Sequence, residues 1–136
     1  MQKDTELTPV GFVESSYNTK ISCPANGWAS TNPSTIVIYE RYHEAISGLS
    51  IGDMIHVLWL FDNTNRSILK QSPRVGESEL GVFAMRCPER PNPIAMSLCK
   101  IIDIRIGKLL VKGLECIANS RVVDIKKAVN FDSKVL

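Results

Sequence analysis

The sequence predicts a mainly β protein: a small closed or nearly closed β-barrel of about seven strands with one short helix. Three observations point there. Short runs rich in β-branched and aromatic residues recur along the chain, separated by Gly, Pro, Asn and Asp clusters that stop them. One stretch alone has helical character. Strands at this spacing expose unpaired edges unless the sheet closes on itself, so closure is the arrangement expected.

Residues 8–14 read as a first strand. Residues 15–33 are rich in Ser, Asn, Thr, Pro and Gly and read as a long loop, of a length that is usually functional or mobile. Ser34 to Tyr39 reads as a β-branched strand, and Glu40 to Ser47 as the helix, with Gly48 at its C-terminal cap. Gly52-Asp53 makes a turn into Met54 to Phe61, an apolar run whose length favours a buried strand over a helix. Gly81 to Met85 is a further strand. Ala95 to Arg105 is a long one, turned by Gly107-Lys108 into Leu109 to Leu114 as a hairpin. Arg121 to Lys126 closes the series.

The 136 residues, 44% apolar and 22% charged, have the proportions of one globular domain, expected to span 1–136. No apolar run approaches the roughly 18 residues of a membrane span. The polar opening Met1 to Glu6 has no signal-peptide character, so the cytoplasm is the expected compartment and no membrane partner is expected. Cysteines stand at 23, 87, 99 and 116 without a C-x-x-C pair, and the two histidines lie far from ligand spacing. Free thiols and no metal site are therefore expected. A formal net charge of +2 permits an anionic partner without announcing one.

The chemistry concentrates in one segment, Gly81-Val82-Phe83-Ala84-Met85-Arg86-Cys87-Pro88-Glu89-Arg90-Pro91-Asn92-Pro93-Ile94-Ala95-Met96-Ser97. Its three prolines fix φ and lack an N–H, and each pushes the residue before it (Cys87, Arg90, Asn92) into extended geometry. The result is a stiff loop that loses little entropy on ordering a ligand. Arg86 and Arg90 offer planar forks suited to carboxylate or phosphate. Arg90 and Asn92 are read either as ligand contacts or as loop support tying the segment to the barrel.

This segment resembles the signature of the TsaA-like family, G-x-F-A-T-R-S-P-x-R-P-N-P-I-G-[LM]-S. Thr8-Pro9-Val10-Gly11, Tyr42 to Asp53, Val57-Leu58-Trp59, Pro73-Arg74 and Val111 to Lys126 also resemble it, so the likeness covers nearly the whole chain and is weakest over 15–33. The resemblance implies a β-barrel methyltransferase that uses S-adenosylmethionine and pairs as a homodimer. The family includes a tRNA methyltransferase that methylates the nitrogen of N-threonylcarbamoyl-adenosine next to the anticodon. It further implies cofactor contacts at Arg86 and Met96, at Asp62 and Asn63 where the family has His-Gln, and at Ala118, Asn119, Ser120 and Arg121 where it has D-G-T-P. An early contact falls near Pro24 to Asn26. Met85, Cys87 and Ala95 replace the family's Thr, Ser and Gly, and Lys127-Ala128 stands where Pro-Tyr often follows D-I-K. The bacterial tRNA enzyme has an additional C-terminal domain that is not expected in this chain.

Several residues carry two readings. Asp124 is the candidate catalytic base, or the partner of Lys126 in a structural ion pair, since 124 and 126 share a strand face. Asp62 attracts a sulfonium, or is a turn residue. Cys87 is a near-isostere of Ser, or a thiol activated by its arginines. His43, His56 and Cys99 read as structural, Trp59 and Phe61 as barrel filling, and Trp28 as a stacking platform or a loop residue. Three functions stay open: methylation of tRNA, methylation of a small-molecule acceptor, and binding of S-adenosylmethionine without turnover.

Overall fold

The computed structural model describes residues 5–15 and 32–129. Cys23, Pro24 to Asn26 and Trp28 lie outside them. The elements follow in the order β1 (Gly11–Glu14), β2 (Ser34–Ile38), a 3-10 helix (Glu40–Ile46), β3 (Met54–Leu60), β4 (Lys70–Gln71), β5 (Leu80–Gly81), a 3-10 turn (Val82–Ala84), β6 (Ile94–Arg105), β7 (Lys108–Lys112) and β8 (Arg121–Lys127). Six strands close into a barrel in the order β1-β2-β7-β6-β3-β8, with β1 pairing back on β8, and every pairing is antiparallel. β4 and β5 form a separate two-stranded ribbon.

Alternation along the strands builds the core. Val13, Ile36, Ile55, Val57, Cys99, Ile101, Leu109, Val111 and Val122 point inward and are fully buried. Trp59 joins them, its indole Nε1 donating to the buried Ser97 Oγ at 3.0 Å across the β3–β6 pair. Phe61 stacks edge-on against Trp59, with centroids 4.6 Å apart. Closure needs tight corners, and two glycines supply them. A Cβ on Gly11 would meet the Val37 carbonyl at 2.1 Å, so β1 and β2 approach there only because the side chain is absent. Gly107 turns the β6–β7 hairpin at φ +67 beneath the His43 ring, whose Nε2 bonds the Ile38 carbonyl at 2.9 Å. Bulges at Ile102 in β6 and Val123 in β8, each unpaired in the register, bend their strands around the barrel.

The helix falls where the sequence places it, and one strand stops short of its expected length. The helix is a 3-10 helix with Tyr42 N–H donating to Tyr39 O at 2.8 Å, and none of its residues is fully buried. At seven residues it is too short for an α-helix to be stable by itself, and Tyr42 and Ile46 pack on the barrel wall from a tighter turn. The strand expected over 81–85 stops at Gly81. Val82 tucks in as a buried plug with its N–H on Leu69 O at 2.9 Å, while Phe83 beside it is 83% exposed, so the segment turns rather than alternates.

β1 ends, β2 starts, β3 ends, β6 starts and β8 starts at the same mouth of the barrel. The 61–93 excursion and the 113–120 turn open there.

Candidate functional site

The proline segment leaves the 3-10 turn at Met85 and enters β6 at Ile94. It is held at both ends and in the middle. Phe61 N–H donates to Pro93 O at 2.9 Å, which ties its exit to the end of β3. Arg90 Nη1 donates to the Met85 carbonyl at 3.1 Å and the Cys87 carbonyl at 3.3 Å, folding the loop onto itself. Arg66 reaches across from the excursion, its Nε on Pro91 O at 2.6 Å and its Nη2 on Asn92 Oδ1 at 3.0 Å. The Asn65 N–H donates to the Glu89 carboxylate. Prolines remove backbone donors from this loop, and the side chains of Arg66 and Arg90 take up carbonyls that no ladder satisfies.

Arg86 projects from this support. Its Nη2 donates to the Met96 carbonyl two residues into β6, and the rest of the guanidinium is exposed. No carboxylate pairs with it among the described ion pairs.

Next to this loop at the mouth, Asp62 follows β3 and Arg121 opens β8, and they form an ion pair at 2.7 Å. Asn63 and Asn119 both have positive φ, at 55 and 68, conformations that asparagine tolerates better than most side chains. Asn119 N–H donates to Val13 O at 2.7 Å, and Ser120 Oγ donates to Ile117 O at 2.8 Å. The turn from Ala118 to Arg121 is thereby sewn to β1, with Ser120 buried.

Met96 and Asp124 stand on the outer wall instead. Both are register partners of Leu58, so the three side chains lie in one row across β6, β3 and β8. Asp124 Oδ2 meets Lys126 Nζ at 2.8 Å, and that hydrogen bond and charge raise the lysine pKa. His56 follows in the next row between Leu98 and Lys126, its Nδ1 buried without a hydrogen-bond partner among the described residues.

The structure thus gathers Arg86, Arg90 and Asn92 in the loop that leads into β6, and Asp62, Asn63, Ala118, Asn119, Ser120 and Arg121 at the neighbouring ends of β3 and β8. It sets Met96 and Asp124 on the adjoining wall. Cys87 is half-buried with Sγ donating to Glu89 O at 3.4 Å, whereas Cys99 is core and burial pushes its thiol up to about 12. Sequence reasoning missed Arg66. It belongs to no motif, and its partners lie 25 and 26 residues away in the chain. Only the surplus of carbonyls in a proline-rich loop signals that some distant donor must come. No group of three or more metal-ligating side chains lies together, and no helix is long and apolar enough to cross a membrane, among the described residues.

Comparison with known proteins bears on this site. The family model described as the tRNA-methyltransferase O N-terminal domain matches residues 12–133. A protein of Archaeoglobus fulgidus named S-adenosyl-L-methionine-binding protein is 34% identical over 121 residues, covering 89% of this chain and 87% of that one. The tRNA (adenine(37)-N6)-methyltransferase of Rattus norvegicus is 27% identical over 134 residues, covering 92% of this chain and 31% of that protein. The crystal structure of TrmO from Pseudomonas aeruginosa superimposes with a TM-score of 0.77 at 25% identity, covering 93% of this chain. The chain spans 57% of that solved structure.

Proposed function

Because the chain belongs to the tRNA-methyltransferase O N-terminal domain family, we propose that it is an S-adenosylmethionine-dependent methyltransferase that methylates N-threonylcarbamoyl-adenosine next to the anticodon of tRNA. The observation that carries this reading is the exposed Arg86 side chain, held on a clamped loop at the barrel mouth with no carboxylate partner among the described residues. Such a fork suits the carboxylate of an amino-acid moiety. Met96, about half exposed beside it, offers an apolar neighbour, so the residues present fit this cofactor.

When bound, S-adenosylmethionine supplies a methyl group on a sulfonium sulfur, open to in-line displacement by a nitrogen, with S-adenosylhomocysteine and a proton released. The protein's part is positioning, which supplies about 7–11 kcal/mol where reactants are well aligned. Arg86 anchors one end of the cofactor. The neighbouring rim at the ends of β3 and β8, fixed by the Asp62–Arg121 pair and the Asn119–Val13 bond, borders the space for the acceptor. Asp124 is the carboxylate offered as base, and one of its oxygens already meets Lys126 Nζ at 2.8 Å.

That engaged carboxylate favours a second reading, binding of S-adenosylmethionine without transfer. A homodimer supports either one: the outer wall of β6 and β3 exposes Met96 and Leu98 next to Leu58, an apolar surface suited to a second copy. Both readings place the protein in the cytoplasm.

The test is transfer of labelled methyl from S-adenosylmethionine to tRNA taken from cells lacking this protein. Incorporation at the modified adenosine next to the anticodon is expected, with a reduced rate for Asp124→Asn. Cofactor binding with no incorporation would select the second reading.

A further inference from the structure

We infer that the outer face of the β6–β7 hairpin is a contact surface for the phosphate backbone of RNA. The inference rests on the tRNA reading above and adds to it the surface that carries the nucleic acid. Between Ile94 and Lys112 the chain has four cations (Lys100, Arg105, Lys108, Lys112) and one acid (Asp103), a net +3 in a protein whose total is +2. The remainder of the molecule is therefore slightly negative, and the positive charge is local.

Register places these groups on one side. Cys99, Ile101, Leu109 and Val111 point into the barrel and are fully buried, so Lys100, Lys108 and Lys112 point out. Lys100 is paired directly with Lys112, and Arg105 with Lys108, across the ladder. Directly opposed residues have Cα atoms about 4.5–5.5 Å apart, a distance at which like charges destabilise a sheet. Two such pairs stand at the two ends of the same ladder. Asp103 offsets only Arg105, at 3.1 Å, and Lys100, Lys108 and Lys112 have no acid partner among the described residues. A polyanion laid along the ribbon supplies the missing charges.

Placement agrees with the candidate site. β6 runs from the signature loop to this hairpin, and Lys100 lies four residues beyond Met96, about 13 Å along the strand. An RNA arm presenting its base at the mouth has its backbone within reach of this face. Contacts of this kind fix orientation and carry no sequence information.

The test compares wild type, Lys100→Glu/Lys112→Glu and an Arg41→Glu control on the 3-10 helix, using purified bulk tRNA across a series of salt concentrations. Each lost phosphate contact lowers the slope of log affinity against log salt by about 0.9 for duplex RNA treated as B-form, or about 0.7 for a single strand. The double variant is expected to lose at least about tenfold in tRNA affinity and to show that reduced slope, with S-adenosylmethionine affinity and Tm unchanged and the control like wild type. An unchanged slope in the double variant, or an equal loss in the control, would overturn the inference. Wild type that binds tRNA in this salt-dependent way but transfers no methyl would defeat the enzymatic reading alone.

Discussion

Asp62 and Arg121, 59 residues apart in the chain, meet at 2.7 Å between neighbouring strands at the mouth of the barrel. The pair joins the end of β3 to the start of β8 at the point where β8 bulges, and it neutralises the acid that the sequence offered as an attractor for a sulfonium. Both side chains are about half exposed, so solvent screens them and the pair contributes at most about 1 kcal/mol to folding. Asp62→Ala is therefore expected to leave the urea midpoint nearly unchanged. It is expected to weaken S-adenosylmethionine binding severalfold, and Asp62→Ala/Arg121→Ala to do no worse than the poorer single variant. Additive losses would show that the two residues act separately.

Arg66 spans the excursion and the signature loop through two hydrogen bonds. Arg66 is exposed and both bonds go to the signature loop, so its removal acts on the loop. Arg66→Ala is expected to raise hydrogen exchange at the amides of Arg86, Cys87 and Glu89 while those of β3 and β6 keep their protection. Cofactor affinity should fall about tenfold, in line with losing charged hydrogen bonds. Arg66→Lys, a single point donor, should recover only part of it.

Ser97 is buried, and its hydroxyl accepts the only hydrogen bond that the Trp59 indole makes among the described residues. Ser97→Ala strands that N–H in the core. The expected cost is about 1–3 kcal/mol of unfolding free energy, read from urea denaturation followed by Trp59 fluorescence in a Trp28→Phe background. A cost near zero would mean that the indole finds another acceptor.

Cys99 has its thiol raised from about 9 to about 12, first by burial and second by the charge of Glu115. A folded-state pKa above the unfolded one means that the native state keeps a proton which the unfolded chain releases. Stability from this group is full below about pH 9 and falls as pH rises toward about 12. Cys99→Ala should flatten that alkaline decline. In a Cys23→Ser background, a maleimide at neutral pH should label Cys87 in the native protein and reach Cys99 and Cys116 only on unfolding.

Much of this fold was legible because a barrel strand writes its register into the sequence. The strands over Met54 to Leu60 and Ile94 to Arg105 were legible from their length and apolar, β-branched content, though buried Ser97 and exposed Met96 and Leu98 run against residue type, and Gly107 marks the hairpin between β6 and β7. The ribbon of Lys70–Gln71 with Leu80–Gly81 was not legible. Two residues per strand give no period, and the pairing is set by Val82 tucking under Leu69. The signature segment stood out because proline leaves few backbone options. The donor that completes it, Arg66, did not, because a single arginine in a polar stretch resembles any solvated residue. The Asp124–Lys126 contact followed from strand periodicity; the Asp62–Arg121 contact needed barrel closure, which brings the ends of distant strands together.

The most direct test of the central claim is a calorimetric titration of the purified protein with S-adenosylmethionine, beside Arg86→Ala. The account predicts binding at about micromolar Kd in the wild type. It predicts a loss of tenfold or more in the variant, with Tm unchanged because Arg86 lies outside the core. A folded wild type that binds no S-adenosylmethionine, or an Arg86→Ala protein that binds it equally well, would contradict the account.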